Sequence, residues 1–320
     1  MTHYRHVDVF TDVPYRGNGL IVLFGDATSF SSETLISLTA ELRQFESIVV
    51  DLEADAPRIG ARVFTAQEEL PFAGHPLIGA AAAVHELHPA DPECEWVFTV
   101  AAREIVVRSQ RSERYYRAEM NQGAAGLGSA LAHADAIRFA HALNLDDGDM
   151  HALPMQVVST GLPYLIVPVA RGLERARIVV DDFEERLASV GAKFVYVLDP
   201  AKPEGRTWDN GGAIEDVATG SAAGPAAAYL AAHGLGTDDG SFVIHQGRFV
   251  GRPSRIAVTL DDAGDLWVGG PVAPVARGVI DGGPRVVCHR ASKGIWRVPS
   301  GYGLERNCSS LSKLSVQPSR

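Results

Sequence analysis

Residues 4–10, Tyr4-Arg5-His6-Val7-Asp8-Val9-Phe10, alternate polar and apolar side chains, and that two-residue period predicts a half-buried strand. A loop, Thr11 to Gly19, leads to a second strand, Leu20 to Phe24. Ser32 and Glu33 then open a segment with Leu35, Leu38, Leu42 and Phe45 at helical spacing, so a helix is expected up to about Glu46. Ser47 to Leu52 turns back to strand. Further short strands are expected at Arg62–Thr65, Glu95–Val100, Glu104–Ser109, Tyr115–Met120, Met155–Thr160, Tyr164–Pro168 and Phe194–Leu198. Four more are expected at Phe242–His245, Arg255–Leu260, Asp265–Gly269 and Val275–Ile280. Helices are expected near Ala130–Leu143 and Asp181–Val190. Gln122 to Gly128 is a glycine-rich connection and marks the expected domain boundary.

Two stretches break this pattern in the same way. Gly74-His75-Pro76-Leu77-Ile78-Gly79 runs into Ala80 to Ala83, and Gly220-Ser221-Ala222-Ala223-Gly224-Pro225 runs into Ala226 to Ala232. Each is read as the start of a small-residue helix; in the first, Pro76 fits the opening turn because the N–H it lacks has no partner there. Each follows an Arg-led strand (Arg62, Arg206) and an acidic residue, read as Glu69 in one copy and Asp216 in the other. The repeat predicts two similar domains whose helix N-termini face one cleft, offering backbone N–H groups to a carboxylate. Glu46, at a helix-to-strand junction before an apolar run, reads on local grounds either as a solvated residue or as a placed carboxylate.

Composition narrows the classes. The chain has 320 residues, 46% hydrophobic and 21% charged, enough for two globular domains. A net charge of −10 argues against nucleic acid and acidic membranes as partners, and no run approaches a membrane span. Cys94, Cys288 and Cys308 have no paired spacing, so neither a metal site nor a disulfide framework is expected. With no leader-like apolar stretch at the N-terminus, the expected location is cytoplasmic. From Gly283 onward seven Lys/Arg stand against one acid, Glu305, in a Ser-, Gly- and Pro-rich tail that is expected to be loosely packed and reads as an extension rather than a partner-binding arm.

Taken together, Asp8-Val9-Phe10 with Gly17-Asn18-Gly19, Glu46, Glu69-Leu70-Pro71-Phe72-Ala73-Gly74-His75-Pro76, Glu215-Asp216-Val217-Ala218-Thr219-Gly220-Ser221-Ala222, and Gln246-Gly247 with Gly251-Arg252-Pro253-Ser254 resemble the phenazine-biosynthesis PhzF-like family, over roughly Tyr4 to Asp281. The resemblance implies an α+β, diaminopimelate-epimerase-like fold: two pseudo-symmetric domains, each a curved, mostly antiparallel sheet around a central helix. The expected division is residues 1–126, 127–282 and a basic tail 283–320. The resemblance further implies an isomerase without cofactor, of the trans-2,3-dihydro-3-hydroxyanthranilate isomerase type, with Glu46 as general acid/base and His75, Asp216 and Ser221 in support. Gly74, Pro76, Gly220 and Ala222 are expected to line the site for a small carboxylate, with no metal, and dimerisation is common in similar proteins. Apolar neighbours Phe45, Ile48 and Val49 are expected around Glu46.

Departures from the family pattern adjoin these segments. Phe45 replaces a common serine, Val217 a proline, and Trp208 and Asn210 differ from an Arg-x-Phe-x-Pro stretch. A related isomerase acting on another unsaturated acid, such as a pyrroline carboxylate, therefore stands beside the first reading. An amino-acid epimerase is disfavoured because His75 and Ser221 occupy the places where those relatives carry a cysteine pair. A non-catalytic small-acid binder and a serine hydrolase at Ser221 are the remaining alternatives; the latter lacks a Gly-x-Ser-x-Gly elbow.

Overall fold

The computed structural model describes residues 2–52 and 58–281; the basic tail lies outside the described residues. The strands are β1 (Thr2–Val9), β2 (Asn18–Phe24), β3 (Glu46–Leu52), β4 (Arg58–Thr65), β5 (Glu69–Leu70), β6 (Glu93–Val100), β7 (Arg103–Arg111) and β8 (Tyr116–Asn121), followed by β9 (Gly126–Ala130), β10 (Gln156–Ser159), β11 (Pro163–Pro168), β12 (Phe194–Asp199), β13 (Glu204–Arg206), β14 (Ser241–Gln246), β15 (Ser254–Leu260) and β16 (Leu266–Ile280). The helices are α1 (Ser32–Glu41), α2 (Gly74–His85), α3 (His133–Ala142), α4 (Phe183–Ser189) and α5 (Gly220–Ala232).

One hydrogen-bonded path runs β1-β2-β3-β4-β6-β7-β8-β16-β15-β14-β13-β12-β11-β10-β9, and β1 also pairs with β16, closing the first eight strands into a ring. The fold is α+β and mostly antiparallel. Its parallel pairs fall at matching places, β2 with β3 and β4 with β6 in the first half, β11 with β12 and β13 with β14 in the second.

Helix α2 fills the ring. All 12 of its residues are buried, as a helix apolar on every side must be. Small side chains let it press on the strands: a Cβ added to Gly79 would sit 2.4 Å from Leu20 Cδ2. Its only ionisable residues are His75 near the start and His85 at the end, where Ser109 Oγ and the Asp91 carbonyl hold the imidazole at 2.8 and 2.9 Å. Helix α5 plays the same part against β10, β11, β12, β14, β15 and β16. Outside this shared core, α1 covers Ile21, Leu23, Val49 and Phe64, while α3 and α4 cover Leu165, Val167, Val195 and Val197.

Two expected elements differ. The helix from Ser32 stops at Glu41 instead of reaching Glu46, because Arg43 takes a left-handed φ of 51° and Gln44 N–H donates to Thr39 O at 3.2 Å, closing the helix end. Phe45 is thereby outside the helix and 45% exposed. The two strands expected at 265–269 and 275–280 are one continuous strand, β16. Its prolines fall where no ladder N–H is needed: Pro271 lies between the end of the β15 pairing at Gly269 and the start of the β1 pairing at Val272, and Pro274 at the register shift opposite His6/Val7.

Those two portions of β16 match β8 and β9 of the first half. Accordingly β9, which follows the strands around α2, pairs with β10 of the other half, and the end of β16, which follows the strands around α5, pairs with β1. Each half gives its last strand to the other.

Candidate functional site

The loops before α2 and α5 are pinned by the same device. In the first half Arg62 clamps Glu69 with Nε and Nη2 at 2.8 and 2.7 Å and gives Nη1 to the carbonyls of Ala27 and Phe30. In the second, Arg206 clamps Glu215 at 3.0 and 2.6 Å and gives Nη1 to the carbonyls of Leu173 and Glu174. Glu69 precedes Gly74 by the same interval as Glu215 precedes Gly220. The acidic residue that repeats Glu69 is therefore Glu215, and Asp216 corresponds to Leu70. The expected match of Glu69 with Asp216 is off by one position, and Asp216 is a carboxyl that only the second half carries.

Register extends the correspondence. Val49 faces Arg62 across β3 and β4, and Val197 faces Arg206 across β12 and β13. Glu46 and Phe194 are thus equivalent, each the first residue of its strand, and their parallel neighbours are Leu20 and Tyr164. Side-chain alternation sends Glu46, Ile48 and Val50 toward α2, whereas Val49 faces the core under α1. Of the three apolar neighbours expected for Glu46, only Ile48 shares its face.

His75, second residue of α2, places Nδ1 3.0 Å from Glu46 Oε2. Both residues are buried, and the approach is an ion-pair contact off the hydrogen-bond line: Glu46 Oε2 and His75 Nε2 lack aligned partners among the described residues. Such groups are rare in native interiors and call for an explanation.

Across from them, Asp216 Oδ2 accepts from Thr219 Oγ1, and Oδ1 accepts from Asn18 Nδ2 at 3.3 Å and from Ala218 N–H at 3.4 Å. Burial holds the Asp216 carboxyl above the ordinary carboxylate range; the Thr219 hydroxyl and the His75 charge work the other way, and the Glu46 charge adds to the rise. Gln246 saturates the same loop. Its Nε2 donates to Asp216 O and Thr219 Oγ1, both at 3.0 Å, and its Oε1 accepts from Thr219 N–H and Tyr196 O–H, both at 3.2 Å.

Ser221, second residue of α5 and so the counterpart of His75, lies 2.7 Å from the Tyr164 hydroxyl. Burial pushes the Tyr164 phenol well up, the Ser221 hydrogen bond opposes this, and the charges of Asp216 and Glu46 reinforce it. Neither α2 nor α5 has a side-chain N-cap, so the N–H groups of Gly74 and His75, and of Gly220 and Ser221, head the helices without a capping side chain, the arrangement that favours an anion. Of the residues expected to line the site, Gly74 and Gly220 head the two helices; Pro76 carries no N–H, and the Ala222 N–H donates to Thr219 O at 3.1 Å. Phe10, fully buried with a left-handed φ of 66°, lays its ring where a Cβ on Gly220 would stand 3.1 Å away.

The structure therefore brings Glu46, His75, Asp216 and Ser221 to one place, together with Tyr164, Thr219, Asn18 and Gln246. Asn18 and Gln246 sit inside motifs that the sequence singles out without a role. Tyr164 has no local signal and emerges only when the two halves are aligned strand by strand. Trp208 and Asn210 are elsewhere: Trp208 packs in the core under α3 and α4, and Asn210 Nδ2 donates to Lys193 O in an exposed loop. Among the described residues no three His, Cys, Asp or Glu side chains are grouped to hold a metal ion, and no helix is long and apolar enough to cross a membrane.

The model of the phenazine biosynthesis-like protein family, PhzC-PhzF, matches residues 7–275. A structure described as a predicted epimerase from Pseudomonas aeruginosa superposes with a TM-score of 0.82 at 48% identity, covering 88% of this chain and 99% of that one. The uncharacterized isomerase YddE of Salmonella typhimurium is 30% identical over 273 residues, 80% of this chain and 89% of its own. The trans-2,3-dihydro-3-hydroxyanthranilate isomerase of Pseudomonas chlororaphis is 27% identical over 271 residues, 83% of this chain and 92% of its own.

Proposed function

Since the chain belongs to the phenazine biosynthesis-like PhzF family and is an isomerase of that type, we propose that it shifts a double bond in a small unsaturated cyclic carboxylic acid, with Glu46 carrying the proton. The substrate class is that of trans-2,3-dihydro-3-hydroxyanthranilate. The observation that supports this reading is the single-sidedness of the site: Glu46 stands beside His75, and its counterpart in the other half is Phe194.

A racemase needs two bases, one on each face of the reacting carbon. One base on one face can remove a proton from a saturated carbon and return it to another carbon on that same face. In the proposed cycle the Glu46 carboxylate takes the proton. The freed electron pair spreads through the conjugated ring into the substrate carboxylate. The N–H groups opening α2 and α5, and the Ser221 hydroxyl, hydrogen-bond the charge that develops there. Glu46 then returns the proton to a different ring carbon, so that one C–H bond is lost, one is gained and the double bond has moved. His75 orients the Glu46 carboxylate. Asp216 holds the loop before α5 in place by accepting from Thr219, Asn18 and Ala218.

The test is proton magnetic resonance in deuterated water with a panel of dihydroaromatic and pyrroline carboxylates. Movement of the double bond is the expected result, with deuterium entering the new ring position to the extent that the Glu46 carboxyl proton exchanges with solvent before its return. Binding without exchange for every acid would leave a small-acid binder, and inversion at an α-carbon without double-bond movement would restore the epimerase.

A further inference from the structure

The alignment of the two halves assigns Tyr164 a task. Each central helix presents one polar side chain at its second position, His75 in α2 and Ser221 in α5. Beneath each lies a parallel strand pair whose first facing residues are Leu20 with Glu46, and Tyr164 with Phe194. In each pair one residue is polar and one apolar, but they have traded strands. Glu46 reaches His75 from β3, and Tyr164 reaches Ser221 from β11. The Phe194 ring, in the place of Glu46, lies against the Tyr164 ring with centroids 5.5 Å apart.

We infer that Tyr164 is a positioning residue that acts through Ser221: its O–H donates to Ser221 Oγ, which leaves the Ser221 proton to be given to the substrate carboxylate. The inference rests on the isomerase reading above and adds to it how the anion-holding side of the site is set. Three observations support this direction of the hydrogen bond. The Tyr164 hydroxyl is buried, and Ser221 is its hydrogen-bond partner among the described residues; a buried phenol must give its proton to an acceptor. Ser221 is only half-buried at the head of α5, so its own proton can face a ligand. The phenol is also held far from ionisation by burial, so it stays a donor at any working pH. A hydroxyl that accepts one hydrogen bond donates the next more strongly, which favours an anionic acceptor. Leu20 at the equivalent place shows that the fold accepts an apolar side chain there, so Tyr164→Phe removes a hydroxyl and little else.

The experiment is calorimetric titration of the full chain, Tyr164→Phe, Ser221→Ala and the double variant with benzoate, anthranilate and pyrrole-2-carboxylate. For the acid that wild type binds best, Tyr164→Phe should lose about five- to tenfold in affinity, the size of one hydrogen bond between neutral groups. Ser221→Ala should lose at least as much, and the double variant no more than Ser221→Ala alone. Wild-type affinity in Tyr164→Phe would overturn the inference, as would the same loss in the presence and absence of the Ser221 hydroxyl, which marks a structural role. Wild type binding none of the three acids would overturn the carboxylate reading of the site itself, and the inference with it.

Discussion

His75 Nδ1 stands 3.0 Å from Glu46 Oε2, the second residue of a fully buried helix meeting the first residue of a central strand. Two elements far apart in sequence are thus joined at the point where a proton would be handled, and the carboxylate keeps an oxygen without an aligned donor.

Replacing that carboxylate by its amide removes the proposed proton carrier while keeping its shape. Glu46→Gln should lower kcat by about 10²- to 10⁴-fold, the range for loss of a general acid–base group, with a much smaller change in KM. Steady-state kinetics together with deuterium exchange checks this; near-normal turnover in a folded variant would sink the role.

Asp216 makes stability depend on pH with a definite sign. Its carboxyl titrates higher in the folded chain than in the unfolded one, so between those two values the folded state binds more protons. Stability contributed by this group therefore falls as pH rises through that window. Asp216→Asn keeps an oxygen for Asn18 and Ala218 and turns an N–H toward Thr219. Its urea-unfolding free energy should change less than that of wild type between about pH 4 and pH 8, the range above the ordinary carboxylate values.

The two Arg–Glu clamps are built alike but buried differently. The Arg206 and Glu215 side chains are each 9% exposed, those of Arg62 and Glu69 25% and 36%. Arg206 is also stacked on Trp208 and Phe249, with its guanidinium 4.9 and 4.4 Å from their ring centres. Arg206→Ala should cost about 3–5 kcal/mol, because it strands Glu215 in the interior, and Arg62→Ala distinctly less. Chemical denaturation of the two variants compares them directly; equal losses would refute the burial argument.

Where the halves meet, β8 and β16 approach so closely at Gly269 that an added Cβ would lie 2.1 Å from Ala118 O. A backbone atom cannot turn aside as a side chain can. Gly269→Ala should therefore destabilise the protein by at least the ~1–3 kcal/mol of an overpacked core, seen as a lowered thermal midpoint. An unchanged midpoint would show that the ladder can open there at no cost.

Much of this architecture is legible in the residues themselves. The glycine–alanine runs that begin at 74 and 220 mark the two central helices, since their side chains are small and nearly all apolar. Glu46 stands out as a carboxylate opening an apolar strand. The rest depends on pairing that short-range patterns do not contain. Spacing alone carries the first helix on to Phe45, because the left-handed turn at Arg43 uses a residue with no special preference for it. The prolines of β16 look like breaks because their harmlessness depends on which strand lies alongside. Matching Glu69 to Asp216 is natural when only neighbours in sequence are compared; the arginine that selects Glu215 instead acts through space. Tyr164 is an ordinary strand residue until β11 is laid over β2.

The traded last strands carry a consequence for any single half. A chain ending after β9 would possess a strand whose place lies beside a β10 it does not have, and a β1 whose neighbour along the ring is missing. Two such chains could satisfy both needs at once, each lending its end to the other about a twofold axis. In that sense the protein is a strand-swapped dimer written as one polypeptide. The linkage lets the two halves diverge, so that one keeps a carboxylate where the other keeps a phenylalanine, an asymmetry that two identical chains could never hold.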